Sequence, residues 1–447
     1  MHNILIIILL SGIALVNGVS KLKPVADWKD LEYEFPTQTD RQNAIIQKKY
    51  VQGNGVPIDV DISYRNNGGS LIFVTVPRFT TGIPITLGTI TGMSTSNGPI
   101  IRAYPDYPSQ SSHGMRCDGT SITSVFRVFV DRCKRLWVLD TGKIGEVQYC
   151  QPQLLLFDLT CDRLIRTYRI PMSQFKMPTS LFVTPMVDIG ATCDDAMVYM
   201  ADVTSFGLVV YDLRRNRSWR VQNKLAYPHP KYGTFTIKGD SFDLMDGILG
   251  LAISPKMTRN QRGGYGLFYP SYPYENQNSV LPPTDRFLFF HALASATENA
   301  VPLSILNNAS IWENDPDAQP RSFVEIGFRG TQSAAQAMDQ HGNLFFGLMD
   351  PIAIACWDTS TMYDKRNIKI VAQDDPTLQF ASGLKIVMNG YGEEELWVLT
   401  NSFQRSAAGT KKFTEVNYRI MARKVSELLG GTRCAGGDTS GFTFPTF

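Results

Sequence analysis

Apolar residues in this chain gather in short runs rich in Val, Ile, Leu and Phe, and each run ends on a small polar or glycine-bearing patch. Arg135–Gly142 reads RLWVLDTG, and far downstream Glu395–Ser402 reads ELWVLTNS. Runs this short, bounded by turn residues, predict β-strands rather than helices.

The phrase is one of six. Ser70–Arg78 is followed by Pro84–Ile90, Arg135–Asp140 by Gln153–Leu159, and Ala196–Val203 by Gly207–Leu213. Tyr265–Tyr272 is followed by Arg286–Leu293, Asn343–Asp350 by Ile352–Asp358, and Glu395–Asn401 by Tyr418–Val425. The first strands begin near residues 70, 135, 196, 264, 343 and 395, a spacing of roughly 65 residues. A further run precedes most pairs (Ser124–Val130, Leu181–Val187, Gly247–Ile253, Gly383–Met388), and another follows some (Leu164–Ile170, Ile368–Val371). Four short strands per unit, repeated radially, predict an all-β fold: a six-bladed β-propeller of four-stranded antiparallel blades. Two packed domains with unrelated sheets are the rival architecture, but nothing between the units reads as a linker. Ring closure needs a strand from one terminus, and Asp30–Phe35 is placed outside Tyr418–Val425. Residues 431–447 are Gly-rich, poor in aliphatics, and read as a flexible tail.

With strands lettered A to D outward from the axis, the B-to-C and D-to-A loops share one face. Asp140, Asp202, Asp350 and Asn401 end B strands there. A terminal Asp or Asn commonly ties its own loop backbone; the functional alternative makes Asp140, Asp202 and Asn401 the rim of an axial mouth. The same geometry favours disulfides Cys117–Cys150 and Cys133–Cys193, with Cys133–Cys161 as competitor, while Cys356 and Cys434 stand apart. No CxxC and no Cys/His spacing suits zinc. With seven Cys, at least one thiol is left over.

The opening MHNILIIILLSGIALVNGVS has the apolar run and small residues of a secretory signal peptide, assigned to 1–18, which leaves 19–430 as one propeller domain. That run is too short for a bilayer span, so no membrane partner is expected. Secretion makes disulfides natural and gives the sequons at Asn216 and Asn308 a route to glycosylation. The 43 basic and 41 acidic residues are scattered rather than striped, which argues against a nucleic-acid partner. Oligomeric state is not legible.

MRCDGTSITSVFRVFVDRCKRLWVLDTGKIG, CQPQLLLFDL from Cys150, Tyr199-Met-Ala-Asp202-Val and FVTVPRFTTGIPITLGTI strongly resemble the Yellow and major royal jelly proteins of insects, over about residues 27–430. Phe73–Arg78 followed by Gly82-Ile-Pro looks like the Yellow branch. The resemblance implies a secreted six-bladed propeller acting in melanin or cuticle pigmentation. Members differ in activity: some isomerise dopachrome, salivary members bind biogenic amines, and royal jelly members are nutritive. In amine binders an Asn and a Phe two residues apart, after the last B strand, contact the ligand together with a hydroxyl residue on the preceding A strand. The matching residues are Asn401, Phe403 and Ser382. A small aromatic amine or dopachrome-like molecule is therefore the implied ligand.

Isomerisation requires a positioned acid or base. Of the histidines after the leader, His291 lies within a strand, His341 in a turn of the opposite face and His229 in a loop. His113, just ahead of the second unit, is the candidate on the first face. No Ser-His-Asp order, phosphate loop or metal cluster is present, and no cofactor is expected. A calcium site on Asp140, Asp202 and Asn401 is the minor alternative.

Overall fold

Strand alternation becomes six four-stranded antiparallel sheets in the computed structural model, which describes residues 22–65, 68–113, 116–256, 285–430 and 434. The signal-peptide segment, the Tyr265–Tyr272 run and the tail apart from Cys434 lie outside these residues. Strands A to D are Asp59–Tyr64, Ser70–Thr75, Leu87–Thr95 and Gly98–Ala103 in blade 1. Blade 2 has Val125–Val130, Arg135–Asp140, Gln153–Asp158 and Arg163–Arg169. Blade 3 has Phe182–Ile189, Ala196–Asp202, Gly207–Asp212 and Arg217–Gln222. Blade 4 has Ile248–Ile253, Phe287–Ala292, Thr297–Pro302 and Val324–Phe328. Blade 5 has Gln336–Met338, Asn343–Leu348, Ala353–Asp358 and Ile368–Gln373. Blade 6 has Ala381–Met388, Glu394–Thr400, Tyr418–Lys424 and, from the N-terminus, Lys23–Trp28.

Two expectations are corrected. Lys23–Trp28, not Asp30–Phe35, closes the ring, pairing antiparallel with Tyr418–Lys424. KPVADW buries Trp28 completely, and its indole N–H donates to the Pro99 carbonyl. Glu32–Tyr33 instead runs parallel to Gly98–Ala103, so one N-terminal stretch clamps blade 6 and then blade 1. In blade 4 the run ending at Leu293 supplies strand B rather than C. TENAVP, the true strand C, carries Glu298 and Asn299, which look like loop residues in sequence. Both are buried, and Glu298 Oε2 pairs with Arg329 at 2.9 Å and with His291 Nδ1 at 2.9 Å.

Each blade packs its sheet face on the next, and the inner strands meet all the way round, blade 6 against blade 1. Trp137, Trp357, Phe289 and Tyr199 fill these interfaces; aliphatic and aromatic burial of this kind contributes roughly 1.5–3 kcal/mol per side chain. The phrase RLWVLDTG thus holds an interface tryptophan and a turn. Gly142 sits at φ +68°, and a Cβ there would lie 2.0 Å from the Cys150 carbonyl oxygen.

The axis itself is held by a charge. Inner strands of blades 2, 3, 4 and 6 carry a bulge near their start, and bulges leave backbone groups outside the ladder. Arg127, in the bulge of blade 2, reaches across the axis. Its guanidinium donates to Thr184 Oγ1 (2.9 Å) and to the carbonyls of Leu249 (2.7 Å), Ala334 (3.0 Å) and Ser382 (2.6 Å). One side chain therefore touches blades 3, 4, 5 and 6. Blades 1 and 2 are joined separately: Asp59 accepts the Val128 N–H and Asp61 the Val130 N–H.

Disulfides pair Cys117 with Cys150, Cys133 with Cys193 and Cys356 with Cys434, leaving Cys161 as an exposed thiol. The third bond pins part of the predicted tail to blade 5, and Cys434 is fully buried.

Arg127→Met should lower unfolding free energy by about 2–5 kcal/mol, because buried carbonyls lose their donor. Urea denaturation checks this; an unchanged midpoint would show that the axis holds without the guanidinium. Cys434→Ser opens a loop of 78 residues and should cost about 4 kcal/mol, measured the same way under non-reducing conditions.

Candidate functional site

B-to-C and D-to-A connections end on one face, and the sequence-predicted residues divide there into ties and open groups. Asp140 is fully buried, and its two oxygens accept from the Thr123, Ser124 and Gly142 N–H groups and from Gln153 Nε2 at 2.8–3.1 Å. Burial raises this carboxyl while those donors oppose the rise. Asp202 accepts from the Leu181 and Ser205 N–H groups, the Ser180 hydroxyl and Arg220. Both carboxylates spend their lone pairs stapling a D-to-A link to its own blade. Asp350 is exposed, beyond strand B of blade 5.

Asn401 differs. Its Nδ2 donates to the Pro57 carbonyl (2.9 Å) and to Ser382 Oγ (3.1 Å), and Ser382 Oγ donates to the Ile58 carbonyl (2.8 Å). Blades 6 and 1 are latched by this chain of bonds. Asn401 Oδ1, fixed by its partnered amide nitrogen, is buried with no hydrogen-bond partner among the described residues. Ser402 follows at φ +44° and turns the chain into the short helix Phe403–Ala407. The three residues implied by the resemblance are thus brought close together, although Ser382 acts through Asn401.

Phe403 is half-buried in an aromatic group. Its ring centroid lies 5.2 Å from Phe380, 5.4 Å from Phe242 and 5.9 Å from Phe79, and Phe79 stands edge-on to Phe126 at 5.2 Å. Phe242 belongs to a hairpin between blades 3 and 4, Thr234–Ile237 with Asp240–Asp243. That hairpin crosses the face to blade 6, where Lys238 pairs with Asp375 at 2.5 Å and Thr410 donates to Asp240 at 2.8 Å. Leu181, Leu244 and Phe126 pack against the same core as Phe403. These residues come from five separate connections and one inner strand, and no local motif in the sequence announces the group.

Asp246 follows Leu244 in the same link. Its carboxyl makes no hydrogen bond or ion pair among the described residues, and burial, with a smaller push from Glu146, lifts it to about 7. The sequence signal was faint, a single Asp ahead of the apolar run GILGLAI. His113 lies elsewhere. It neighbours Lys49 and Arg78, and burial with those two cations pushes its imidazole down to about 2, so it stays neutral. Arg78, from the FVTVPR phrase, is a clamp whose guanidinium donates to the carbonyls of Ile83, Pro84, Gln110, Ile122 and Thr123.

A cavity of about 740 Å³ occupies the axis on the opposite face, at the far ends of the inner strands. Arg127 is its floor, and Asp59, Asp61, Lys385, Arg132, Lys256 and Gln336 are among its walls. Ser382, Asn401, Phe403, Asp140 and Asp202 do not line it. The guanidinium therefore separates an aromatic mouth from a charged funnel. Burial lifts the Asp61 carboxyl to about 7, against Lys385 and two N–H donors. Near the same face Asp339, His341 and Glu394 have potential ligand atoms within 4.8 Å of one another. Asp339 already accepts from the His341 and Asn343 N–H groups and from Asn343 Nδ2, and Glu394 accepts from the Gln340 N–H. These groups form a turn before they form a metal centre. Among the described residues no helix is long and apolar enough to cross a membrane.

The family model "Major royal jelly protein" matches residues 123–272 and 275–434. Dopaminechrome tautomerase of Drosophila melanogaster is 32% identical over 423 residues, 93% of this chain and 84% of that one. Major royal jelly protein 9 of Apis mellifera is 34% identical over 426 residues, 93% of this chain and 90% of that one. Protein yellow of Drosophila yakuba is 31% identical over 439 residues, 96% of this chain and 74% of that one. With matches of this length in fold, motif and sequence, the chain belongs to the Yellow and major royal jelly protein family.

Proposed function

We propose that this chain is a secreted, Yellow-type protein of the melanin and cuticle pigmentation pathway that takes a catechol- or indole-type amine, or its aminochrome, at the aromatic mouth. The observation that carries this reading is the Asn401 Oδ1 atom, a buried acceptor without a partner beside the Phe403 group. A flat ring stacks on phenylalanine faces, an ammonium gains from them, and an N–H satisfies the lone carbonyl oxygen. Three disulfides fit an oxidising compartment, and Asn216 and Asn308 are both exposed, as glycan acceptors must be.

The proposed reaction follows from the relative named dopaminechrome tautomerase. An aminochrome becomes a dihydroxyindole when one proton leaves C2 and one leaves C3 of the five-membered ring, while two O–H bonds form at the quinone oxygens. Electrons redistribute within the ring system, so no outside oxidant or reductant is needed. Asp246 is our choice for the proton-moving group. Its carboxyl near 7 is half ionised at neutral pH, and positioned acid–base groups of matched pKa contribute about 10²–10⁴-fold.

Calorimetry with dopamine and serotonin tests binding. Asn401→Ala and Phe403→Leu should each weaken it about tenfold, the size of one lost hydrogen bond or ring contact. No heat at about millimolar ligand for the parent protein would refute the site. Turnover is read from aminochrome decay. The rate should rise with pH through about 7 as Asp246 loses its proton, and Asp246→Asn should lower it about 100-fold or more with binding retained. A parent protein that binds the amine yet leaves decay at the buffer rate would be a carrier rather than an isomerase.

A further inference from the structure

The charged funnel opposite the aromatic mouth has no role in the reaction above, and inner strands of all six blades bound its volume of about 740 Å³. That volume is typical of small-ligand sites. Among the described residues six basic side chains line it, Arg127, Arg132, Lys134, Lys256, Arg286 and Lys385, against five acidic ones, of which burial lifts Asp61 and Glu394 to about 7. Lys385 is answered by Asp59 at 2.8 Å, and Arg286 by Asp188 at 2.6 Å. Asp131 is spent on Arg135 at 2.8 Å and on the Trp137 indole N–H. Arg127 at the floor hydrogen-bonds only neutral oxygens, with Asp59 as its nearby counter-charge, and its Nε is buried without a hydrogen-bond partner among the described residues.

At the rim two more cations converge. Arg132 Nη2 donates to the Ile189 carbonyl at 3.2 Å and the Gly190 carbonyl at 2.6 Å. Lys256 Nζ, arriving from a different blade, donates to the same two oxygens at 3.5 and 3.2 Å. Among the described residues neither cation has a carboxylate within 4.0 Å. Two carbonyl dipoles do not neutralise two full positive charges. Like charges gathered on one spot repel, and low-dielectric walls concentrate their field toward the opening. An anion seated between them would relieve that repulsion, with a third cation waiting at the floor.

We propose that this funnel is a second ligand site, specific for a small acidic molecule whose carboxylate or phosphate group sits between Arg132 and Lys256. Arg127 faces the same volume from below, so a ligand long enough to reach the floor meets a further donor. Recognition rests on charge and hydrogen bonding, in contrast to the aromatic mouth, and the two sites lie on opposite sides of the Arg127 guanidinium. Both rim side chains are exposed, so their neutral replacements should leave the fold intact.

Calorimetric titration of the intact secreted protein at low ionic strength, with inorganic phosphate, pyrophosphate and citrate as separate probes, tests the site. Saturable binding of at least one probe is expected, with a stoichiometry of one per chain. Arg132→Gln combined with Lys256→Gln should reduce affinity at least about tenfold, with an unchanged melting temperature, and Asn401→Ala should leave it unaltered. Tighter phosphate or pyrophosphate binding would mark a phosphate ligand, and tighter citrate binding a carboxylate one. The proposal is overturned if no probe gives heat up to about 10 mM, if chloride at equal ionic strength competes as well, or if the double variant binds like the parent. Because the amine titration reads the other face, loss of either reading leaves the other standing.

Discussion

Arg127 is the interaction on which the rest of this molecule turns. A propeller places its inner strands around an axis where no further sheet can cover them, and bulges at their starts leave carbonyls pointing into that space. One guanidinium, planar and rich in donors, serves blades 3 to 6 at once. Burial lowers its pKa only to about 10, so it remains charged at any physiological pH. A lysine would offer a single point charge and could not span the same set of oxygens. The remaining joints are made by the Asn401–Ser382 latch between blades 6 and 1 and by Asp59 and Asp61 between blades 1 and 2.

By plugging the axis, Arg127 also gives the two faces different chemistry. On one side, phenylalanines from blades 1, 2 and 6 and from the hairpin Thr234–Asp243 pack on one another. On the other, the far ends of the same inner strands present charged groups set among aliphatic ones. A through-channel would have mixed these surfaces. Separation gives one small scaffold an aromatic face and a charged face that share no donors.

Asp140 and Asp202 show why strand-end carboxylates mislead. Both lie on the same face as Asn401, and both are exhausted, Asp140 by backbone N–H groups and Gln153, Asp202 by backbone N–H groups, Ser180 and Arg220. Each closes the link from the preceding blade, so their side chains do locally what a longer strand pairing would do. Asn401 occupies the equivalent place in blade 6, but an amide can donate to two acceptors and still keep one oxygen unspent. That difference of a single nitrogen separates a fully spent tie from one that keeps an open acceptor. His113 was attractive for its position in sequence, yet two neighbouring cations and burial keep it neutral.

Alternating apolar runs and their regular spacing were enough to establish the six blades, since period-two burial is a local property of each strand and needs no knowledge of neighbours. Cysteine positions relative to those strands favoured Cys117–Cys150 and Cys133–Cys193, but they left Cys133–Cys161 open and did not pair Cys356 with Cys434. Blade 4 was misread where polar residues go inside: Glu298 and Asn299 look like a loop until Arg329 and His291 are placed beside them. Likewise the closing strand depended on where Trp28 finds its interface, which local pattern does not reveal. Asp246 and the Arg132–Lys256 pair acquire meaning only when distant segments converge, because burial and the absence of a counter-charge belong to three-dimensional surroundings. Sequence by itself determined that strands would form and repeat. Tertiary structure alone decided which polar atoms were satisfied, and the unsatisfied ones are where ligands are to be sought.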